Sequence, residues 1–110
     1  MIKYSFNSSI DENINTYSFE AKGHAEYDEY GKDIVCAAVS ILVVTLANRL
    51  NELKVKNLEI SLIPGDFKVS CQAHVCDFLV RDTFEFVLMG MSLINTEHPE
   101  CVAMEAPKKG

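Results

Sequence analysis

The chain lacks a cluster of basic residues. Its 110 residues include 10 lysines and arginines against 16 aspartates and glutamates, which gives a formal net charge of -6. Direct binding of nucleic acid needs a basic face, because contacts to the phosphate backbone supply most of the affinity. The composition therefore disfavours a nucleic-acid partner, whereas a basic protein or peptide would be attracted to this chain.

A long apolar segment and a secretory signal are also lacking. The longest apolar run, IVCAAVSILVVTLA at residues 34–47, is shorter than the roughly 20 residues that span a bilayer, and it is typical of a buried helix. Residues 1–10 show no apolar run and no small-residue cleavage site. We therefore expect a cytoplasmic protein without a membrane partner, whose four cysteines are thiols because that compartment is reducing.

Low-complexity sequence is absent as well. Hydrophobic residues make up 48% of the chain and charged residues 24%, close to the average for folded domains. A chain of this length is large enough to bury one core. The sequence therefore predicts a single domain over residues 1–110.

Apolar and polar residues alternate in four segments, which is the period of a half-buried strand. The first segment begins at Ile2 and gives way to a predicted turn that starts at Asn7. The second ends at Gly23 and His24, so these two form a predicted hairpin. Two more strands surround a turn at residues 64–66, and their apolar positions are Leu58, Ile60, Leu62, Phe67, Val69, Cys71, Ala73 and Val75.

Two helices complete the predicted fold. The first runs from an N-cap at Asp33 to about Asn51 and is apolar on nearly every side, so a sheet and a second helix or a second subunit must cover it. The second runs from about Asp77 to Thr96 with apolar residues at helical spacing. The order ββαββα predicts an α+β fold with a small, mostly antiparallel sheet and one largely buried helix. The apolar first helix also favours a homodimer.

One histidine and one cysteine lie on either side of the loop that leads into the first helix. A thiol becomes a nucleophile as thiolate, which a helix N-terminus and a nearby imidazole both favour. Cys36 lies near the predicted helix start, and His24 ends the strand that leads into the same loop. The pair could therefore act as nucleophile and general base, with backbone N–H groups of the helix start stabilising an oxyanion.

Two alternatives remain open at this point. Asp33 could orient the imidazole, or it could only cap the helix, and its local position favours the cap. Cys36 could be a buried core residue and His24 a strand-end hydrogen-bonding residue. Spacing alone favours this second interpretation, because cysteine is among the most buried residue types.

The stretch GHAEYDEYGKDIVCAAVS resembles the signature of the ribosomal-processing cysteine protease family, Prp. The resemblance implies a homodimeric thiol protease without a cofactor, which removes an N-terminal extension from the large-subunit ribosomal protein L twenty-seven. It also implies that His24 and Cys36 are the catalytic residues. In this family the loop, here residues 25–32, moves over the site to admit substrate, and Gly31 would be a hinge within it. Independently of the resemblance, Tyr27 and Tyr30 could contact the apolar side chains of a substrate or could only pack their rings within the loop. The alternative is a non-catalytic ribosome-assembly or peptide-binding module that uses the same cleft.

A metal site is the remaining candidate. Cys71, His74 and Cys76 lie together in CQAHVC, and His98 and Cys101 follow later. Strand alternation places Cys71 on the face opposite the other two, and the spacing matches no common zinc site. We therefore expect no metal, with Cys71 as a core residue and Cys76 and Cys101 as incidental thiols.

Overall fold

The computed structural model describes residues 1–24 and 32–105 of the chain. The fold is α+β, as predicted, and one further strand follows the last helix. In chain order the elements are β1 (Ile2–Asp11), β2 (Ile14–Lys22), α1 (Lys32–Glu52), β3 (Lys56–Ile63), β4 (Asp66–His74), α2 (Phe78–Glu97) and β5 (Val102–Met104).

The five strands form one sheet in the order β3-β4-β2-β1-β5. Neighbouring strands are antiparallel, except that β5 runs parallel to β1. Alternate strand residues, including Tyr4, Phe19 and Val69, belong to the same buried core as residues of α1 and α2. Both helices therefore pack on one face of the sheet. The turn between β3 and β4 lies at the same sheet end as the last residue of β2, because Lys22 pairs with Asp66.

The first hairpin differs from the prediction. The turn expected from Asn7 does not form, because β1 continues to Asp11 and pairs with β2 along its whole length. The turn consists of Glu12 and Asn13, and Glu12 has a positive φ of 56°. Residues 7–11 are exposed, so their strand depends on backbone hydrogen bonds and needs no apolar alternation. Their polar sequence is for that reason easily mistaken for a turn.

Helix α1 is the longest element near the predicted site. Its sheet-facing residues are buried, among them Val35, Val39, Val43, Leu46 and Leu50. On the opposite side Ile34 and Ile41 are 66% and 62% exposed. The sheet and α2 therefore cover one side of this apolar helix and leave the other uncovered within the described residues.

The segment Ile34–Glu52 of α1 has a mean hydropathy of 1.8 over 19 residues and is long and apolar enough to cross a membrane by length and composition alone. This span is longer than the apolar run that the sequence shows at residues 34–47. The core helices of globular proteins satisfy the same criterion, and α1 contributes buried residues to the core beneath it. That packing accounts for the buried side of the helix, which is 33% of this segment.

Candidate active site

His24 lies two residues beyond the end of β2. Its carbonyl oxygen accepts a hydrogen bond from the Met1 nitrogen at 2.7 Å, and the preceding Gly23 N–H donates to the Gly65 carbonyl at 2.9 Å. Gly23 has a φ of 105°, and a Cβ there would overlap the Met1 carbonyl oxygen. A glycine is therefore required at this position, and the backbone that carries His24 is tied to both neighbouring segments.

Cys36 is the fifth residue of α1, which begins at Lys32. It lies two residues further into the helix than the sequence predicted. Helical side chains lean toward the N-terminus, so the thiol projects toward the first turn, where the backbone N–H groups have no partner within the helix. Cys36 is half-buried and packs against the core. It is thus neither a fully buried core cysteine nor a surface one.

His24 and Cys36 line the same cleft at the end of the sheet, although they are 12 positions apart in the sequence. The cleft has a volume of about 70 Å³. Its walls come from β1, β2, the β3–β4 turn, β4 and α1, and the remaining lining residues are Ile2, Ala21, Gly23, Val39, Ser40, Pro64, Gly65 and Phe67. The fold therefore brings the predicted nucleophile and base to one small, mostly apolar space.

The two side chains are not hydrogen-bonded to each other within the described residues. His24 is exposed at the rim, whereas Cys36 is half-buried in the wall. Catalytic hydrogen bonds are often long in the absence of substrate and tighten when it binds. The arrangement can supply a thiol nucleophile and an imidazole that line the same cleft, which is the minimum for acyl transfer through a thioester.

Gly65 is a part of this site that the sequence does not indicate. The sequence shows it only as one residue of a predicted turn. In the structure its φ is 84°, and the His24 ring lies directly against it. The contact joins residues 41 positions apart, so no local pattern could have predicted it.

The roles of four predicted site residues remain predictions. Tyr27, Tyr30 and Gly31 lie outside the described residues. Asp33 is the second residue of α1, and its side chain also lies outside the described part of the chain. The helix therefore begins one residue before the predicted N-cap. Whether the Asp33 side chain orients His24 or bonds to N–H groups of the first turn remains a prediction, as does the opening of the loop.

The other cysteines and histidines lie apart from the cleft. Cys71 is buried in the core, as predicted, and burial together with the nearby Asp77 carboxylate raises the pKa of its thiol to about 11. Cys101 is also a core residue, so it is more than the incidental thiol that the sequence suggested. Cys76 is exposed, and its backbone N–H donates to His74 Nδ1 at 3.0 Å. Over residues 1–24 and 32–105 no three histidine, cysteine or acidic side chains are grouped to hold a metal.

Solved structures with the same fold include a protease that is described as a ribosomal processing protease. The structure of the "Essential Ribosomal Processing Protease Prp" from S. aureus with a substrate peptide is 23% identical, with a TM-score of 0.74 over 96% of this chain and 98% of that one. The same protease with a covalently linked product peptide is 24% identical, with the same TM-score and coverage. At these identities the likeness shows the fold alone.

A further solved structure, of SMU.848 from Streptococcus mutans, is 32% identical to this chain. The match has a TM-score of 0.68 and covers 96% of this chain and 92% of that one. No curated protein matches the sequence. The sequence model of the family described as "Cysteine protease Prp" matches residues 1–103. The chain therefore belongs to the Prp family of cysteine proteases.

Proposed function

We propose that this chain is a cytoplasmic cysteine endopeptidase that removes the N-terminal extension of the large-subunit ribosomal protein L twenty-seven. The observation that carries the proposal is that His24 and Cys36 line one cleft in a chain of the Prp family. The S. aureus protein of the same fold is described as a ribosomal processing protease and has been solved with a substrate peptide. The acidic net charge of -6 would also favour encounter with a basic ribosomal protein.

The chemistry assigned to the pair proceeds by acyl transfer. His24 takes the thiol proton, and the Cys36 thiolate attacks the scissile carbonyl carbon to form a tetrahedral intermediate. Backbone N–H groups at the start of α1 donate to its oxyanion, a kind of stabilisation worth about 10²–10³ in rate per donor. The intermediate then collapses to a thioester, and the imidazolium protonates the leaving amine.

Hydrolysis of the thioester restores the enzyme. His24 removes a proton from a water molecule, which attacks the thioester carbonyl and releases the new carboxylate. The proton returns to the Cys36 sulfur as the thiolate leaves. General acid and base catalysis of this kind contributes about 10²–10⁴ in rate. Neither half of the reaction calls for a metal or an organic cofactor.

A non-catalytic peptide-binding module remains the alternative. Two observations favour it, namely the lack of a hydrogen bond between Cys36 and His24 within the described residues and the small volume of the cleft, about 70 Å³. Such a module in ribosome assembly would hold the same peptide without cleaving it. Its thiol would have no reason to react faster than other accessible thiols.

Cleavage of a defined peptide separates the two functions. The purified protein and its Cys36→Ala variant are each incubated with a peptide that spans the N-terminal extension and the mature start of the ribosomal protein, and the products are identified by mass spectrometry. We expect one cut, made by the unmodified protein only. A peptide that binds both proteins and is cut by neither would contradict the protease and support the binding module.

A homodimer is proposed from the uncovered side of the helices. Ile34 and Ile41 of α1 and Phe86, Met89 and Leu93 of α2 are 62–76% exposed. We call these five residues the helix face. An exposed apolar patch marks an interaction site when its residues are contiguous. An apolar groove of about 350 Å³ next to Phe86, between α1 and α2, could accept an aromatic side chain from a second copy in a two-fold arrangement.

Sedimentation measures this proposal directly. We expect a dimer at micromolar concentration and a monomer for Phe86→Glu, because a charge in the helix face opposes its burial. Ile60→Glu is the control, since Ile60 is 44% exposed on β3 and lies outside the helix face. A strict monomer for the unmodified protein, or equal dissociation by both substitutions, would contradict the proposed interface.

A further inference from the structure

The turn between β3 and β4 lies directly against the imidazole of His24. A Cβ built on Gly65 would lie 2.5 Å from the ring carbon Cε1, still closer to Nε2, and 3.2 Å from Cδ2. Real Cβ atoms essentially never approach another heavy atom within 3.0 Å. Any side chain at this position would therefore occupy space that the histidine ring now fills.

The sheet fixes where Gly65 lies relative to His24. Lys22, two residues before the histidine, pairs with Asp66, the residue after the glycine. The Gly23 N–H donates to the Gly65 carbonyl at 2.9 Å, which ties the two chain segments together at the site itself. Backbone hydrogen bonds thus fix the position of Gly65 relative to the backbone of His24.

Two separate requirements for glycine coincide at this position. The φ of 84° is a left-handed conformation that favours glycine but that asparagine or aspartate can also adopt. The contact with the ring is stricter, because a Cβ of any kind would displace the ring from its present place. A turn alone would therefore tolerate residues that the histidine does not.

We propose that Gly65 is a positioning residue for His24. The Cα of Gly65, which carries no side chain, forms a wall of the space that holds the imidazole toward Cys36. The inference rests on the proposed function, in which the imidazole exchanges a proton with the thiol. Gly65 and Cys36 line the same cleft as the ring. A ring displaced from Gly65 has to leave its place in that cleft.

The expected consequence of Gly65→Ala is a folded protein with a misplaced base. His24 is exposed, so its ring can rotate away at little cost. A misplacement of about 1 Å in a reacting group can cost about 100-fold in rate. We therefore expect kcat for peptide cleavage to fall by about 10- to 100-fold, with KM little changed, because the ring takes part in proton transfer rather than in holding the peptide.

The test is a double-variant cycle that compares the unmodified protein with Gly65→Ala, His24→Ala and the combination of both. The measured quantity is the rate at which iodoacetamide alkylates Cys36 near neutral pH, located by peptide mapping, with thermal unfolding to show that each variant is folded. If Gly65 acts through His24, Gly65→Ala slows alkylation several-fold on its own and has no further effect once His24 is alanine. The cleavage assay repeats the cycle with kcat.

Two results would overturn the inference. The first is a Gly65→Ala variant that alkylates and cleaves like the unmodified protein while His24→Ala is slow in both assays. The second is an equal fold-reduction by Gly65→Ala in both backgrounds, which would mean that the substitution acts through the backbone and not through the ring. Equal alkylation rates for the unmodified protein and His24→Ala form a different pattern, which would remove the proposed dyad itself and, with it, the role of Gly65.

Discussion

The two ends of the sheet contain the same ingredients in different arrangements. At one end His24 follows β2 and Cys36 lies near the start of α1, and both line one cleft. At the other end His74 closes β4 and Cys76 precedes α2. A cavity of about 440 Å³ lies at that second end, lined by His74 but not by Cys76. Residue types do not distinguish the two ends, and cavity size would favour the end at His74. The candidate site is distinguished by the cleft that its histidine and cysteine share.

The difference follows from the length of the connection. Only two residues separate His74 from Asp77, the N-cap of α2. In this short space His74 Nδ1 accepts a hydrogen bond from the Cys76 backbone N–H, and the Asp77 carboxylate accepts one from Val80 N–H at 3.4 Å. Local structure thus occupies both the imidazole nitrogen and the helix start. At the first end, residues 25–31 separate His24 from α1. The His24 ring contacts Gly65, which lies in a turn that is distant in the sequence.

The largest effect expected from this comparison is on the nucleophile. Cys36→Ser should reduce cleavage by at least about 10⁴-fold, because a hydroxyl is a far weaker nucleophile in a site built for a thiolate. Cys76→Ser is the matched control at the other end and should leave kcat/KM unchanged. The account fails if both serine variants cleave alike in a steady-state peptide assay.

The two histidines give the next largest difference. His24→Ala should lower kcat by about 10²–10⁴-fold, the range for loss of a general acid and base. His74→Ala should have no effect on kcat, because His74 lies outside the cleft. Initial rates with saturating peptide measure both variants, and a fully active His24→Ala would be the contradictory finding.

Capping at the second end should affect stability instead of activity. Asp77→Ala should lower the free energy of unfolding by about 0.5–1 kcal/mol, the low end for loss of an N-cap, because its hydrogen bond of 3.4 Å is long. Urea unfolding measures the change, with cleavage assayed on the same samples. Asp82→Ala, further along α2, is the control and should change stability less. Lost cleavage in a folded Asp77→Ala would mean that the two ends are coupled.

The buried thiol beneath the second end gives an effect that is confined to high pH. Burial raises the pKa of Cys71 to about 11 from an ordinary value of 9.0. The neutral thiol is therefore favoured by folding, and its contribution to stability is complete below pH 9 and is lost as the pH rises toward 11. Cys71→Ala should flatten the decline of stability over this range. Some decline should remain, because burial also raises the pKa of Tyr17. An unchanged slope would contradict this role for Cys71.

Much of the fold could be predicted from the sequence because its periodicity reflects burial. Phe19 and Val69 alternate with polar residues on half-buried strands, and Val80, Phe84, Val87 and Met91 follow the helical period on the buried side of α2. The prediction failed in the outer half of β1, where backbone pairing alone forms the strand. The outer half of β1 and the short strand β5 have no such periodicity, and they are held by their neighbours in the sheet.

The candidate site was predictable only in part. The positions of His24 and Cys36 could be inferred from a strand end and a helix start, and the family resemblance joined them. Their common cleft and the contact between His24 and Gly65 depend on how β2 and β4 pair, which is a tertiary property. The local sequence around either residue cannot indicate this contact, because His24 and Gly65 are 41 positions apart.

The most direct test of the central claim is to find which cysteine reacts first. The protein is treated near neutral pH with less than one equivalent of iodoacetamide, and the modified cysteine is identified by peptide mapping. Exposure alone predicts Cys76, since Cys76 is exposed whereas Cys36 is half-buried and Cys71 and Cys101 are buried. Our account predicts that Cys36 is alkylated first, because His24 lines the same cleft and can accept the thiol proton as a general base. Alkylation of Cys76 ahead of Cys36 would contradict it.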